Sequence, residues 1–371
     1  MASLRNATSE VEFYLVDAFE IFHYLPVCQE LVRRGVKATI VAEPCSINTS
    51  GNWFDYNTAV KILEKNGIDY SAECNPDTLV AITTQMSSVL RKYKNYKINL
   101  PYGISLIKSG FSLNDRSCRG FDAKIVHGLF SKNNLLRYMD QDALHPVGYP
   151  KHDSYFKNKP QKNALLQQFG IETDKPVIVY LPTYDDDASI AMFGDEIGSL
   201  RDRFYILTKP HHCTARLPEK KHDLDRLYAI SDKVLDGNIS FSDVCSCADF
   251  YIADAKSGAA LESLYLNYKQ AVFLTPREGN ILDLFYPEFF EVAHVINANG
   301  LLSASVEKIF TKNASVDAGD LEYFLGQRDG YSSERAANII MKYCQLCVGE
   351  KMAAATKNST VAIAVRLSTQ F

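Results

Sequence analysis

The chain has 371 residues, of which 46% are hydrophobic and 23% are charged, and its formal net charge is −4. These values are typical of a soluble globular protein, and the length suits two domains of roughly 150–200 residues each. The slight excess of acidic residues disfavours a nucleic-acid-binding protein with a dominant basic face. No run reaches the roughly 18 apolar residues of a membrane-spanning helix, and residues 1–12 contain no signal-peptide segment. We therefore expect a cytoplasmic protein.

The first half of the chain alternates short apolar runs with segments of helical spacing. The predicted strands are Val11–Val16, Val36–Ala42, Thr78–Thr83, Tyr96–Leu100, Lys124–His127 and Leu144–Val147. The predicted helices are Ile21–Arg34, Phe54–Asn66 and Met86–Tyr93. Strands separated by helices indicate βαβ units and a parallel sheet.

The same pattern starts again after a linker at Gly148–Gln161. The predicted strands are Val177–Leu181, Phe204–Thr208, Phe250–Ala253 and Gln270–Leu274, and the predicted helices are Pro160–Phe169, Ser257–Tyr265 and Ser332–Ala355. We predict an α/β protein with two Rossmann-like domains that face an interdomain cleft, the GT-B plan of nucleotide-sugar transferases. The N-terminal acceptor domain covers residues 1–150, the nucleotide-donor domain covers 151–330, and a C-terminal helix and tail cover 331–371. Ligands of such sheets bind beyond the carboxyl ends of the strands.

The segment from Ala253 to Glu262 turns from a predicted strand into a predicted helix. Ser257 is a plausible N-cap, Gly258 allows a ligand close to the backbone, and Lys256 adds a positive charge. The first turn of a helix binds phosphate through its N–H groups and its dipole. An ordinary capped helix is the alternative. We include Glu262 among the donor-site residues.

Two further loops follow predicted strands in the second half. Lys209 and His211 lie directly after one strand, where a histidine can bind phosphate or protonate a leaving group, although a solvated loop histidine is the alternative. Thr183 follows another strand and precedes the carboxylates at 185–187. These carboxylates suit a divalent ion or a substrate hydroxyl, but a solvated turn or helix cap is the more common explanation.

Candidate residues of the first half also follow predicted strands. Tyr102 and Gly103 come after one strand, Tyr102 can hydrogen-bond a substrate, and Lys108 can follow them into an acceptor site. His127 closes another strand and is a candidate general base. His23 lies in the first predicted helix, where a core or helix-packing role is the more common explanation.

Several short segments occur in a characteristic order. They are Gly148-Tyr149-Pro150-Lys151-His152-Asp153, Leu181-Pro182-Thr183-Tyr184, Lys209-Pro210-His211, and Ser242-Asp243 with Ala253-Asp254 to Ser257. In these segments the chain resembles the CDP-glycerol glycerophosphotransferase family, the enzymes of teichoic-acid and capsule polymers, over residues 11–280. The resemblance implies a two-domain transferase fold whose second domain holds a cytidine diphosphate donor.

The resemblance also implies roles for individual residues. His211 and Ser257 would contact the donor phosphates. The family's His-Gly, the expected base, matches Tyr102-Gly103 here, and tyrosine, with a pKa near 10, is a poor base at pH 7. The proton acceptor is then His127 or a carboxylate such as Asp17 or Glu20.

The predicted function is transfer of glycerol phosphate or a similar group from a nucleotide-activated donor, CDP- or CMP-linked, to a hydroxyl of a cell-surface glycan or glycolipid. Fixed cations and a helix dipole stabilise the leaving group, so we expect neither a metal nor a cofactor. The alternatives are a glycosyltransferase of the same fold that uses a UDP-sugar or CMP-Kdo, a nucleotide-sugar 2-epimerase, and a non-catalytic nucleotide-binding module. Peripheral contact with the inner face of the membrane stays open.

Overall fold

The fold consists of two parallel α/β sheets. The computed structural model describes residues 10–16, 20–43, 56–84, 88–101, 115–235, 239–267, 269–275, 294–298, 300–312 and 318–368. Within this part of the chain each sheet has helices on its faces, which confirms the predicted fold class. None of the described helices is long and apolar enough to cross a membrane.

The first sheet has seven parallel strands in the order β3-β2-β1-β4-β5-β6-β7. They are β1 Val11–Tyr14, β2 Ala38–Val41, β3 Tyr70–Ser71, β4 Val80–Thr83, β5 Tyr96–Asn99, β6 Ala123–Val126 and β7 Leu144–Pro146. The helices of this half are α1 Ile21–Arg33, α2 Tyr56–Lys65, α3 Asp115–Cys118 and α4 Leu129–Leu135. Most central strand residues are buried, because both faces of the sheet are covered.

The second sheet has six parallel strands in the order β10-β9-β8-β11-β12-β13. They are β8 Val177–Leu181, β9 Tyr205–Thr208, β10 Lys233–Val234, β11 Phe250–Asp254, β12 Ala271–Leu274 and β13 His294–Ile296. Alternate residues of β8 pack into two different clusters, Val177 and Val179 on one face and Ile178 and Tyr180 on the other. This two-sided burial explains why β8 reads as a continuous apolar run.

The helices of the second half connect the strands and then return to the first half. They are α5 Asp153–Lys157, α6 Lys162–Gln168, α7 Ile190–Ser199, α8 His212–Arg216, α9 Lys221–Ile230, α10 Phe241–Ser246, α11 Gly258–Leu266, α12 Leu302–Lys312, α13 Ala318–Leu325 and α14 Ser332–Ser368. Helix α14 packs on α1 and against β4 and β5 of the first sheet. Helix α13 packs on α4, where the rings of Phe324 and Phe130 lie 4.8 Å apart.

Most predicted elements occur within two or three residues of the expected bounds, and β8 matches its predicted bounds. The structure corrects the segment Met86–Tyr93, whose described part is a 3-10 helix over Ser88–Lys92. Strands β3 and β10 have only two residues each, too few to show a periodicity in the sequence. Helix α14 extends to Ser368, beyond its predicted end at Ala355.

The start of α14 is tied to the segment that joins the two sheets. The Asp153 carboxylate accepts the backbone N–H groups of Ser332, at 3.0 Å, and Ser333, at 2.6 Å. Gly148 has a φ of +90°, and a Cβ there would lie 2.5 Å from the Ser332 Oγ. The segment therefore passes so close to α14 that only glycine fits at position 148.

We predict that Asp153→Ala lowers the free energy of unfolding by about 2–4 kcal/mol, because two buried N–H groups lose their acceptor. Urea unfolding followed by circular dichroism measures this change. Asp329 is the matched control, since it accepts the N–H of Tyr331 next to the same helix start but is half-exposed. Asp329→Ala should cost about 1 kcal/mol or less. Equal losses in the two variants would contradict the capping role of Asp153.

Candidate functional site

Three strands of the second sheet end side by side. Tyr180 of β8 is paired with Thr208 of β9, and Leu181 of β8 is paired with Ala253 of β11. The parallel direction of these strands puts their carboxyl ends at the same edge of the sheet. The loops that follow them carry the second-half candidates Thr183, Lys209, His211, Lys256, Ser257 and Gly258. The register therefore brings these predicted residues to one edge.

The turn after β11 leads directly into α11. Ser257 is the N-cap, in an extended conformation, and its Oγ accepts the N–H of Ala259 at 3.2 Å. The capped helix that the sequence offered as an alternative is thus present. It is also compatible with anion binding, since the dipole of a nine-residue helix starts at this cap.

The loop after β8 contacts the turn after β11 in two places. The Thr183 N–H donates to the Asp254 Oδ2 at 2.7 Å, and the Lys256 Nζ lies 2.8 Å from the Asp187 Oδ2. The Asp185 Oδ1 accepts the N–H of Asp187 at 3.1 Å. This bond is typical of a turn, which is one of the explanations given above for the carboxylates at 185–187. Asp187 is therefore the counter-ion of Lys256 in this structure.

His211 is the N-cap of the short helix α8, where its Nδ1 accepts the N–H of Cys213 at 3.2 Å. Its ring stacks on the Tyr184 ring with centroids 4.6 Å apart. It also stacks on the His212 ring, 4.1 Å away at an angle of 26°. The Tyr184 contact joins the loop after β9 to the loop after β8.

Among the described residues, one cluster has potential ligand atoms close enough together to hold a metal ion. One ligand atom each of His211, His212 and Cys213 lies within 4.8 Å of the others. The Nδ1 of His211 already accepts the N–H of Cys213, and the two histidine rings are stacked at an angle of 26°. Burial also raises the pKa of the Cys213 thiol to about 12.

Glu262 lies on α11 and contacts the segment that joins the two sheets. Its Oε1 is 2.7 Å from the Lys151 Nζ and 2.6 Å from the His152 Nε2. Burial opposes ionisation of this carboxyl, but Lys151 and His152 outweigh it and lower the Glu262 pKa. Burial lowers the pKa of His152. We therefore describe a Lys151–Glu262 ion pair to which a neutral His152 donates a hydrogen bond.

The buried ring of Tyr149 lies beside this ion pair and contacts three histidines. The centroid of its ring is 4.8 Å from that of His127, 4.9 Å from that of His152 and 5.8 Å from that of His23. His127 follows β6 of the first sheet, and His23 belongs to α1, so the cluster joins both halves. Packing is thus the role the structure shows for His23.

Burial lowers the pKa of His127 to about 4, and the nearby positive charge of Lys124 contributes. The ring is therefore neutral at pH 7, the state that a general base needs before it accepts a proton. Glu20 is buried and occupied, since its Oε2 accepts the N–H of Val16 at 2.8 Å and its Oε1 accepts the Thr84 hydroxyl. Tyr102, Gly103, Lys108 and Asp17 lie outside the described residues.

Comparison with known proteins shows to which family the chain belongs. The model of the CDP-glycerol:poly(glycerophosphate) glycerophosphotransferases matches residues 71–258, just over half of the chain. The chain belongs to this family. The matched region includes Lys151, Thr183, Lys209, His211 and Ser257, whereas Glu262 lies one helical turn beyond its end.

A relative and two solved structures illustrate the similarity. A teichoic acid glycerol-phosphate transferase of Staphylococcus aureus is 26% identical over 235 residues, which are 55% of this chain. The alignment spans 56% of that relative, so the chain matches only about half of its length.

The solved structures show the fold. The wall teichoic acid polymerase TagF with CDPG is 14% identical, with a TM-score of 0.57 over 92% of this chain and 90% of that chain. The UDP-GlcNAc 2-epimerase of Neisseria meningitidis bound to UDP-GlcNAc is also 14% identical, with a TM-score of 0.63 over 90% of this chain and 99% of that chain. Transferases and epimerases thus share this family's architecture.

Three contact residues of the site carried no role in the sequence analysis. Tyr184, Lys151 and Asp254 stand inside the segments that resemble the glycerophosphotransferases, but a segment does not reveal which neighbour a side chain touches. Lys151 contacts a residue 111 positions away and Asp254 contacts one 71 positions away. For Lys151 and Asp254, a charged residue within such a segment was the available signal.

We predict that stability falls as the pH decreases from about 6.5 to 4, because the unfolded chain protonates His127 in this range and the folded chain does not. Over this pH range, His127 accounts for a loss of roughly 3 kcal/mol in the free energy of unfolding. His127→Gln should flatten the curve of unfolding free energy against pH, measured by urea unfolding. Above about pH 6.5 the two curves should run parallel, which is the internal control. An unchanged slope below that pH would show that His127 titrates normally in the folded protein.

Proposed function

We propose that the protein transfers glycerol phosphate, or a similar polyol phosphate, from a CDP-linked donor to a hydroxyl of a cell-surface polysaccharide of the capsule or teichoic-acid type. Family membership supports the donor class and the polymer acceptor. The observation that carries the proposal is the turn into α11 at Ser257, which lies at the same edge of the sheet as Lys209 and His211.

The donor diphosphate binds at this edge. Its negative charge is stabilised by the helix dipole at Ser257 and Gly258 and by the cation of Lys209. His211 donates to a phosphate oxygen from its Nε2, since its Nδ1 already accepts a backbone N–H. Lys256 contributes through its ion pair with Asp187, which reduces its effective charge. Thr183 completes the donor side from the loop after β8.

The chemical step exchanges one phosphorus–oxygen bond for another. The acceptor hydroxyl oxygen attacks the phosphorus atom that bears glycerol, and its proton passes to the base. The bond from this phosphorus to the bridging anhydride oxygen breaks, and CMP leaves with the bonding electron pair on that oxygen. The cations and the helix dipole at this edge stabilise the charge that develops on CMP, so no metal ion takes part in the proposed step.

We assign the base to His127. Its ring lies edge-on to Tyr149 where the two halves meet, and it is neutral at pH 7, although its low pKa makes it a weak base. Glu20 is a weaker candidate because its oxygens are held by Val16 and Thr84. Glu262 acts on the donor side only indirectly, since it holds Lys151 and His152 against α11.

We place the reaction in the cytoplasm, at the inner face of the membrane, where the polymer acceptor would be reached by peripheral contact. Eight cysteines of the described part of the chain are free thiols. Free thiols are typical of proteins from a reducing compartment.

A nucleotide-sugar 2-epimerase is the second candidate, since the Neisseria enzyme matches this fold with a higher TM-score than the polymerase does. Tyr102, in place of the family's histidine, also favours chemistry that differs from the family's. A glycosyltransferase that uses a nucleotide sugar is a third. Incubation of each candidate donor, first alone and then with a glycan acceptor, distinguishes the three candidate functions. A product from the donor alone supports the epimerase. Acceptor-dependent release of CMP from CDP-glycerol supports the glycerophosphotransferase, and acceptor-dependent release of UDP from a UDP-sugar or of CMP from CMP-Kdo supports the glycosyltransferase.

We predict that Ser257→Ala and His211→Ala each weaken binding of CDP-glycerol about tenfold or more, because each removes a phosphate contact or the cap that orders it. Isothermal titration calorimetry measures the dissociation constant. Ser240→Ala is the matched control: Ser240 caps α10 through the N–H of Asp243, so this variant loses the same kind of bond. If both site variants bound CDP-glycerol with wild-type affinity, the donor would not bind at this edge.

We predict that His127→Gln lowers kcat by about 10²–10⁴-fold and leaves the dissociation constant of CDP-glycerol unchanged, because a base acts on the acceptor hydroxyl. Acceptor-dependent CMP release measures kcat. His145→Gln is the matched control, since His145 lies on the neighbouring strand β7, paired with Ile125, and contacts Tyr343. A kcat of His127→Gln equal to that of His145→Gln would transfer the role of base to another residue.

A further inference from the structure

Asp254, the last residue of β11, is a fully buried carboxylate at the proposed donor edge. Its Oδ2 accepts two backbone N–H groups, from Thr183 at 2.7 Å and from Ser189 at 3.1 Å. Its Oδ1 has no hydrogen-bond partner among the described residues. A buried carboxylate without a cationic partner costs stability, so its presence here calls for a functional reason.

The two N–H groups that Asp254 holds mark the two ends of one loop. Thr183 opens the loop after β8, and Ser189 closes it at the start of α7. Between them, Tyr184 stacks on His211, and Asp187 pairs with Lys256. One carboxylate oxygen therefore sets both ends of the loop that orients His211 and Lys256.

We propose that Asp254 is a positioning residue of the donor site, which fixes the loop over residues 183–189 and, through it, the ring of His211. This inference rests on the proposed donor site. Asp254 does not touch the reacting atoms in this account. Its effect reaches the donor through Tyr184 and His211, and through the Asp187–Lys256 pair.

The surroundings of Asp254 make this positioning sensitive to pH. Burial raises the Asp254 pKa to about 7. Hydrogen bonds from the Ser189 hydroxyl and from the backbone N–H groups of Thr183 and Ser189 oppose this increase, whereas repulsion from Asp185 of the loop adds to it. Tyr180 of β8 faces it from the sheet, and Leu274 of β12, its partner in the sheet on the other side, carries no charge. A carboxylate accepts amide N–H groups more strongly than a neutral carboxyl group. The loop should therefore loosen, and the KM for CDP-glycerol should rise, as the pH falls below about 7.

The test compares two substitutions at Asp254 with one at Asp249. Asp254→Asn keeps an oxygen for the two N–H groups, whereas Asp254→Ala removes it. Asp249 is the matched control, since it stands at the opposite end of β11 and accepts the N–H of Val177, at the start of β8, at 2.9 Å. Asp249→Ala therefore loosens the same two strands away from the donor edge.

We expect Asp254→Ala to raise the KM for CDP-glycerol about 10–100-fold, because small displacements of binding groups have effects of this size. Asp254→Asn should stay within about threefold of the wild type at pH 8 and lose the pH dependence of KM near pH 7, and Asp249→Ala should keep the wild-type KM. An unchanged KM in Asp254→Ala, an equal increase in Asp249→Ala, or an Asp254→Asn variant as impaired as Asp254→Ala would overturn the inference.

Hydrogen exchange of the Thr183 and Ser189 amides, measured without any donor, separates this inference from the proposed function. Faster exchange of both amides in Asp254→Ala than in Asp249→Ala supports the link to the loop even if the wild type does not bind CDP-glycerol. Equal exchange in the two variants overturns the link even if the wild type is an active transferase.

Discussion

The candidate site depends on the register of three parallel strands. Because β8 is paired with both β9 and β11, the loops that leave their carboxyl ends start from one edge of the second sheet. Residues as far apart as Thr183 and Asp254 then come within hydrogen-bond distance. A shift of one residue in this pairing would turn every side chain of a strand to the other face. The continuous apolar sequence of β8 is less specific about its register than an alternating one, so the loop contacts contribute to specifying it.

Helix α11 links this edge to the place where the two halves meet. It begins at the Ser257 cap, and one turn later Glu262 holds Lys151 and His152 of the connecting segment. The same segment holds the start of α14 through Asp153 and contacts His127 through Tyr149. A movement of one half relative to the other would therefore strain contacts close to the donor edge. Closure of two lobes around a substrate excludes water, which otherwise competes with the acceptor hydroxyl.

Charge at the donor edge is distributed unevenly. Among the described residues, Lys256 is paired with Asp187, whereas Asp254 is a buried carboxylate whose hydrogen bonds come from N–H groups and a hydroxyl and not from a cation. The proposed donor edge thus combines the start of α11 and the cations Lys209 and Lys256 with the carboxylates Asp187 and Asp254. Such an arrangement favours a leaving group whose charge develops in one defined position. The loop after β8 is included in the proposed site because it contacts Lys256 through Asp187 and His211 through Tyr184.

The sequence by itself determined the α/β alternation, the continuous apolar strand Val177–Leu181 and the loops that follow strands, because periodicity and caps are local properties of the chain. It also pointed to Lys209, His211 and Ser257, since their position after a strand is visible without any tertiary information. The two-residue strands and the partners of Lys151, Asp153 and Asp254 emerged only from the tertiary structure. The side-chain contacts among them join residues at least 65 positions apart, and only the tertiary packing decides which distant groups meet.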